Sequence, residues 1–229
     1  MKVILFGATG MVGQDVLQEC LGSPEVESVL SIGRRASGRQ HPKLREIAHQ
    51  DFADFSAIEG ELSGYDACFF CLGVSSLGMS AEDYERVTYD FTLSAARTLA
   101  RRNPQMTFIY VSGAGTDSSA QGSTRWARVK GRTENALFQL PFKAAYAFRP
   151  AYIQPLSGIV PKTAWLRALY AVAGPLYPVW KALFPKYVTT TAQVGRAMIH
   201  VAREGAPKRV LENRDINDVP LSSVEASRL

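Results

Sequence analysis

The stretch Val3-Ile4-Leu5-Phe6-Gly7-Ala8-Thr9-Gly10-Met11-Val12-Gly13 constrains the chain most. An apolar run of strand length ends in glycines at 7, 10 and 13, and an amphipathic pattern follows through Val16, Leu17, Cys20 and Leu21. The order predicts a buried strand, a tight turn and a helix. Gly7 and Gly10 let backbone amides approach a ligand without an intervening Cβ, and Gly13 lets the helix pack close to the strand. A helix N-terminus carries unpaired N–H groups and partial positive charge, so the turn suits a pyrophosphate at Gly7, Thr9, Gly10, Met11 and Val12. The spacing is G-x-x-G-x-x-G rather than G-x-G-x-x-G. The bland alternative is a glycine-rich strand–helix turn with no ligand.

A second strand, Val26 to Ile32, closes a βαβ unit and is followed by Gly33-Arg34-Arg35. An acidic residue here would bind a ribose 2′-hydroxyl, and none is present. Arg34 and Arg35 instead suit a 2′-phosphate, which predicts NADP(H) as cofactor ahead of NAD(H). Because Arg39, Lys43 and Arg45 continue the basic run, a solvated loop is the competing reading. A short strand, Arg45 to His49, delivers Asp51 and Phe52 to the same region. Asp51 could bond the adenine amino group or cap the next helix. The apolar run from Tyr65 ends at Leu72-Gly73, a floor for an adenine ring. Its Cys68-x-x-Cys71 lies within a strand, where positions i and i+3 face opposite sides, so it reads as core packing rather than a redox pair.

Ser80 to Arg102 predicts a long helix with Ser80 as N-cap. Met106 to Ser112 is a strand, 113–123 a polar glycine-rich loop, Arg125 to Leu140 a helix and Lys143 to Phe148 a sixth strand. Thr189 to Arg203 is a last long helix, followed by a short strand, Lys208 to Glu212, and a polar tail. The alternation predicts an α/β doubly wound parallel sheet, a Rossmann domain over residues 1–229, with 156–188 inserted as a small helical cap or lid.

Composition excludes several other classes. The net charge of +5 suits an anionic cofactor without requiring nucleic acid, and the basic run lacks the aromatic platform that strand binding uses. Three cysteines, an odd number, make no disulfide framework and fit a reducing cytoplasm. Met1-Lys2 leads into an apolar run too short for a secretory h-region. The aromatic-rich segment 158–188 is broken by Arg167, Pro175, Pro178 and Lys181, so no transmembrane span is predicted. A cap packed on the sheet, a lid over an apolar substrate and a membrane-surface contact are its three readings. His41, His49 and His200 are scattered, so no metal site is expected.

Gly7-x-x-Gly10-x-x-Gly13, the strand end Tyr110-Val111-Ser112 and Lys130 resemble the short-chain dehydrogenase/reductase superfamily. Val111-Ser112-Gly113-Ala114, Val129-Lys130-Gly131-x-x-Glu134 and Phe148-Arg149-Pro150 are most similar to its atypical, epimerase-like branch that includes the Tat-interacting-protein oxidoreductases. The resemblance covers roughly residues 1–155. It implies that Ser112 hydrogen-bonds the substrate oxygen and that Lys130 holds the nicotinamide ribose. It also implies that Pro150, Tyr152 and Ile153 border the nicotinamide, with a small-molecule carbonyl or alcohol as substrate. The family's Tyr-x-x-x-Lys is broken here, because Trp126 stands four residues before Lys130. An indole N–H donates a hydrogen bond but exchanges no proton near neutral pH. Tyr110 and Tyr152 are the aromatic hydroxyls that could substitute. Tyr177-x-x-x-Lys181 is a decoy, with a proline inside the required helix. Two functions follow: an NADP(H)-dependent oxidoreductase with a non-standard active site, or a cofactor-sensing or partner-binding protein that has lost turnover.

Overall fold

The computed structural model describes residues 1–155 and 183–220. Seven parallel strands form the main sheet in the order β3-β2-β1-β4-β5-β6-β9. They are β1 (Lys2–Phe6), β2 (Ser28–Gly33), β3 (Leu44–Ala48), β4 (Ala67–Phe70), β5 (Thr107–Val111), β6 (Ala144–Arg149) and β9 (Val210–Glu212). Six strands were expected in the sheet; the short β9 pairs with β6 and makes the seventh.

Both faces of the sheet are covered, which is why its strands are nearly continuously apolar. Alternation along β1 sends Val3 and Leu5 to one side and Ile4 and Phe6 to the other. Helices α1 (Met11–Gly22) and α5 (Thr191–Glu204) cover the first face with Val16, Leu17, Val194 and Met198. On the second, α3 (Phe91–Arg102) and α4 (Arg125–Leu137) contribute Leu99 and Leu137. Cys68 packs in the second core and Cys71 against the first, as a strand dictates for an i, i+3 pair. Burial pushes the Cys68 and Cys71 thiols well above their ordinary range, so neither has thiolate character.

Several boundaries differ from the sequence reading. The helix that starts at Ser80 begins as α2 (Ala81–Glu85), passes through a π turn (Arg86–Asp90) and continues as α3. Ser80 caps it as expected, accepting the Asp83 N–H at 3.0 Å. Val188–Thr190 form strand β8 rather than the start of α5, and pair in parallel with β7 (Tyr152–Gln154) in a small second sheet. Part of the presumed tail is helix α6 (Asn213–Asp218), started by a Glu212/Asp215 capping box. The cap or lid expected over 156–188 lies, apart from its last six residues, outside the described residues. No helix among the described residues is long and apolar enough to cross a membrane.

The chain runs outward from β1 through β2 to β3 and then returns to β4 on the other side of β1. That reversal opens a crevice beyond the carboxyl ends of β1 and β4, where open α/β sheets place their ligands.

Candidate functional site

The turn between β1 and α1 is built as the glycine spacing predicts. Gly7 adopts φ +84°, and a Cβ there would lie 2.7 Å from the backbone of Cys71 and Leu72 at the end of β4. A Cβ on Gly13 would lie 2.1 Å from the Gly7 carbonyl oxygen. The first position needs a left-handed backbone and the second needs bare contact between helix and turn. Gly10 closes the turn, its N–H donating to the Gly7 carbonyl at 2.8 Å. Among the described residues no side chain caps α1, and no acidic residue sits in its first turn, so its amides and dipole face the crevice.

A cleft of about 400 Å³ opens there, floored by Gly7 and Thr9 and walled by Phe52 and Leu72. Gly33, Arg34 and Arg35 at the tip of β2 complete it, with Ser31 and Gln50 beside them. The arginine side chains are exposed. Their basic neighbours are engaged elsewhere: Arg45 pairs with Glu61 at 2.6 Å, Lys43 donates to the Ser23 carbonyl at 2.7 Å and Arg39 reaches Gln18 at 3.4 Å. Gln50 donates from Nε2 to the Arg34 carbonyl at 2.7 Å and so ties the arginine turn to the segment after β3. Phe52 is buried edge-on against Phe6 and Phe55. Asp51 does not line the cleft; its Oδ1 accepts the Ala53 N–H at 2.9 Å and closes a local turn. Leu72 lines the cleft, and Gly73 after it is exposed.

The second half of the site lies at the ends of β5 and β6. Ser112, expected to address a substrate oxygen, is turned inward. Its Oγ donates to Glu134 Oε1 at 2.5 Å and lies 3.2 Å from the Phe148 carbonyl. Glu134, only 1% exposed, is held in two-point contact by Arg149, with Nε to Oε1 at 3.0 Å and Nη2 to Oε2 at 2.5 Å. Arg149 also donates to Ser118 Oγ at 2.6 Å and reaches Glu212 at 3.2 Å. A buried carboxylate is tolerable only when paired and hydrogen-bonded, and this network meets that condition across α4, β5, β6 and β9. Glu134 and Arg149 stood out in sequence as signature residues; their pairing did not, since nothing local couples residues in a helix and a strand.

Lys130 sits one turn before Glu134 on α4 and donates from Nζ to the Ser112 carbonyl. Burial pushes its ammonium down to about 8, against an opposing pull from Glu134. Trp126, four residues earlier and on the same helical face, lays its ring on the turn after β5; a Cβ on Gly115 would lie 3.4 Å from Cη2. Tyr110 is buried beside Phe70 and its hydroxyl is pushed far above the ordinary tyrosine range, which makes it core. Pro150 is buried and its carbonyl accepts the Ala114 N–H at 2.9 Å, while Ile153 is core. Tyr152 is part-exposed on β7 and donates to Gln154 Oε1 at 2.9 Å. No group of three or more metal-ligating side chains occurs among the described residues.

The NAD dependent epimerase/dehydratase family model matches residues 3–126. Protein HTATIP2 of Rattus norvegicus is 28% identical over 220 residues, covering 94% of this chain and 87% of its own length. The mitochondrial protein fmp52-2 of Aspergillus oryzae is 27% identical over 218 residues, 93% of each chain. The Bordetella bronchiseptica enzyme WbmF in complex with NAD+ superposes with a TM-score of 0.66 at 15% identity, over 94% of this chain and 76% of that one. A short chain dehydrogenase family protein of Francisella tularensis gives 0.61 at 12% identity, over 89% and 91%. These two structures share the fold.

Proposed function

The chain belongs to the NAD dependent epimerase/dehydratase family, in the atypical branch of the short-chain dehydrogenase/reductases, and from that premise we propose an NADP(H)-dependent oxidoreductase of a small apolar carbonyl or alcohol. NAD(P) binding is typical of the family. The observation that carries the choice of NADP(H) is the pair Arg34 and Arg35, at the rim of the cleft and without an ionic partner among the described residues, while the other basic residues of that run are engaged. Two guanidinium groups placed there hold a 2′-phosphate bidentately.

In this reading Gly7, Thr9, Gly10, Met11 and Val12 hold the pyrophosphate at the α1 N-terminus. Phe52, Leu72 and Gly73 bound the adenine, and Asp51 closes the turn beside them. Lys130 meets the nicotinamide ribose, and Pro150, Tyr152 and Ile153 border the ring. The cofactor supplies the hydride; the protein orients it and shields it from water. Residues 1–229 act as one domain. The three unpaired thiols support a reducing compartment, the cytoplasm, although the fungal relatives carry the word mitochondrial in their names.

Calorimetric titration of cofactor-free protein with NADPH and with NADH tests this. Tight NADPH and much weaker NADH binding is the expected result; binding of neither removes the oxidoreductase reading. A second reading, a cofactor sensor without turnover, is favoured by Trp126. Trp126→Tyr separates the two. A gain towards simple ketones supports the enzyme, and bound cofactor with no turnover in either form supports the sensor.

A further inference from the structure

Arg34 and Arg35 stand on a segment with little backbone support. Strand β2 ends at Gly33, whose carbonyl takes the last backbone rung, from the His49 N–H at 2.9 Å. Among the described residues no backbone-to-backbone hydrogen bond reaches residues 34–40. The chain also turns sharply here, since a Cβ on Gly33 would lie 3.3 Å from the Arg35 carbonyl oxygen. Arg34, Arg35 and Ala36 are exposed. An unsupported exposed turn samples many arrangements, and a ligand that needs one of them must offset the cost of ordering it.

Two side chains from the neighbouring strand remove that freedom. Gln50, just past β3, donates from Nε2 to the Arg34 carbonyl at 2.7 Å. Glu46, within β3, accepts the Ser37 N–H on Oε1 at 2.8 Å. One tie fixes the entry to the turn and the other its exit, with Arg35 and Ala36 between them. Both are short in sequence, spanning 16 and nine residues. Glu46 shares its strand face with Leu44 and pairs in register with Ser31, which lines the cleft. Glu46 does not line the cleft itself, so its hold on a bound nucleotide runs through the turn.

We propose that Glu46 and Gln50 are positioning residues that set the preference for NADP(H), by holding the arginine turn in the arrangement that grips a 2′-phosphate. This rests on the NADP(H) reading above. The 2′-phosphate is the one group that distinguishes the two dinucleotides, so a loosened turn weakens NADPH binding and leaves NADH binding alone. What the turn takes from Glu46 is a hydrogen-bond acceptor. Its negative charge works the other way, because a carboxylate on this side of the cleft repels a phosphate. Position and charge therefore predict opposite results when the carboxylate is removed.

Calorimetric titration of the full chain with NADPH and with NADH reads both. Glu46→Ala should weaken NADPH about three- to tenfold, within the span that one net hydrogen bond covers, with NADH unchanged. Glu46→Gln, which keeps an oxygen for the Ser37 N–H, should bind both nucleotides as native protein does. Gln50→Met keeps the length of an exposed side chain and loses the donor, and should behave like Glu46→Ala. Neither loss should add to Arg34→Asp with Arg35→Ala. Tighter NADPH binding in both Glu46 variants would show the carboxylate acting by its charge, and overturns the proposal. So does equal loss of NADPH and NADH, or a native ratio of the two in Glu46→Ala and Gln50→Met, and in these cases the preference of native protein for NADPH still stands. Native protein that binds NADH as tightly as NADPH removes the NADP(H) reading and the positioning roles with it.

Discussion

The two ends of this crevice were built under different rules. At the nucleotide end, on β1, α1 and the tip of β2, each requirement is local: a left-handed glycine, a helix start without a competing cap, a pair of arginines at a strand end. At the chemical end, on β5, α4 and β6, the features that matter are tertiary. Ser112 is bound to Glu134, Glu134 to Arg149, and Lys130 to the backbone of Ser112. One end follows its family's pattern. The other keeps the lysine and the serine but re-employs the serine as part of a buried polar network. Binding and chemistry are therefore separable by mutation.

The largest effect expected is at Glu134. Glu134→Ala removes the two-point carboxylate partner of the buried Arg149, which keeps Glu212 and Ser118, and leaves Ser112 Oγ on the Phe148 carbonyl; breaking such a buried pair costs about 3–5 kcal/mol. Urea unfolding should show that loss at unchanged m-value. A loss under about 1 kcal/mol would mean that water reaches Arg149 and that the two ends are not built differently after all.

At the other end, Arg34→Asp with Arg35→Ala should leave unfolding within about 0.5 kcal/mol of native, since both side chains are exposed. NADPH affinity should fall roughly tenfold to several-hundredfold, with NADH little changed, because charge-assisted hydrogen bonds contribute about 1.5–3 kcal/mol. Equal loss of both nucleotides would place the arginines on the shared diphosphate instead.

Lys130 gives the chemical end a pH signature. A lysine depressed in the fold binds fewer protons there than when unfolded, so stability rises with pH between about 8 and the unfolded lysine value. Below 8 it is charged in both states and its burial weighs against folding. Lys130→Met should therefore flatten that rise and gain on the order of 2 kcal/mol at neutral pH before any loss of packing. Chemical denaturation at pH 7 and pH 10 measures it. An unchanged slope would show that Lys130 is solvated like any surface lysine.

What could be read in the chain follows the same division. The β1 turn was legible because Gly13 answers to the Gly7 carbonyl six residues away and Gly7 to its own left-handed backbone, although the approach of Cys71 and Leu72 to Gly7 is tertiary. The doubly wound parallel sheet followed from strands alternating with helices. The buried Glu134–Arg149 pair was not, since both residues were visible as signatures but only folding brings a helix and a strand together. The α6 helix escaped because its apolar signal is Ile216 alone, although Glu212-x-x-Asp215 does carry a capping-box spacing. Strands β7 and β8 are three residues each, too short for periodicity to register. The π turn between α2 and α3 has no residue mark; it shows in the Phe91 N–H, which donates to the Arg86 carbonyl five residues back.

Asp51 is where the comparison is sharpest and the expected effect smallest. Sequence left it between an adenine ligand and a helix cap; its Oδ1 instead closes a local turn, accepting the Ala53 N–H beside the cleft rather than in it. The carboxylate has a second oxygen, so the turn does not by itself exhaust its capacity. Asp51→Ala removes one exposed, charge-assisted turn bond, which should cost about 0.5–1 kcal/mol of stability and less than about twofold in NADPH affinity. Asp51→Asn, which keeps an oxygen acceptor for Ala53, should restore most of the stability. A tenfold loss of NADPH binding in both variants, with stability held in the asparagine form, would instead make Asp51 a nucleotide ligand. The nucleotide end would then depend on a residue reaching in from β3 as well as on its glycines and arginines, and the contrast with the chemical end would narrow by that much.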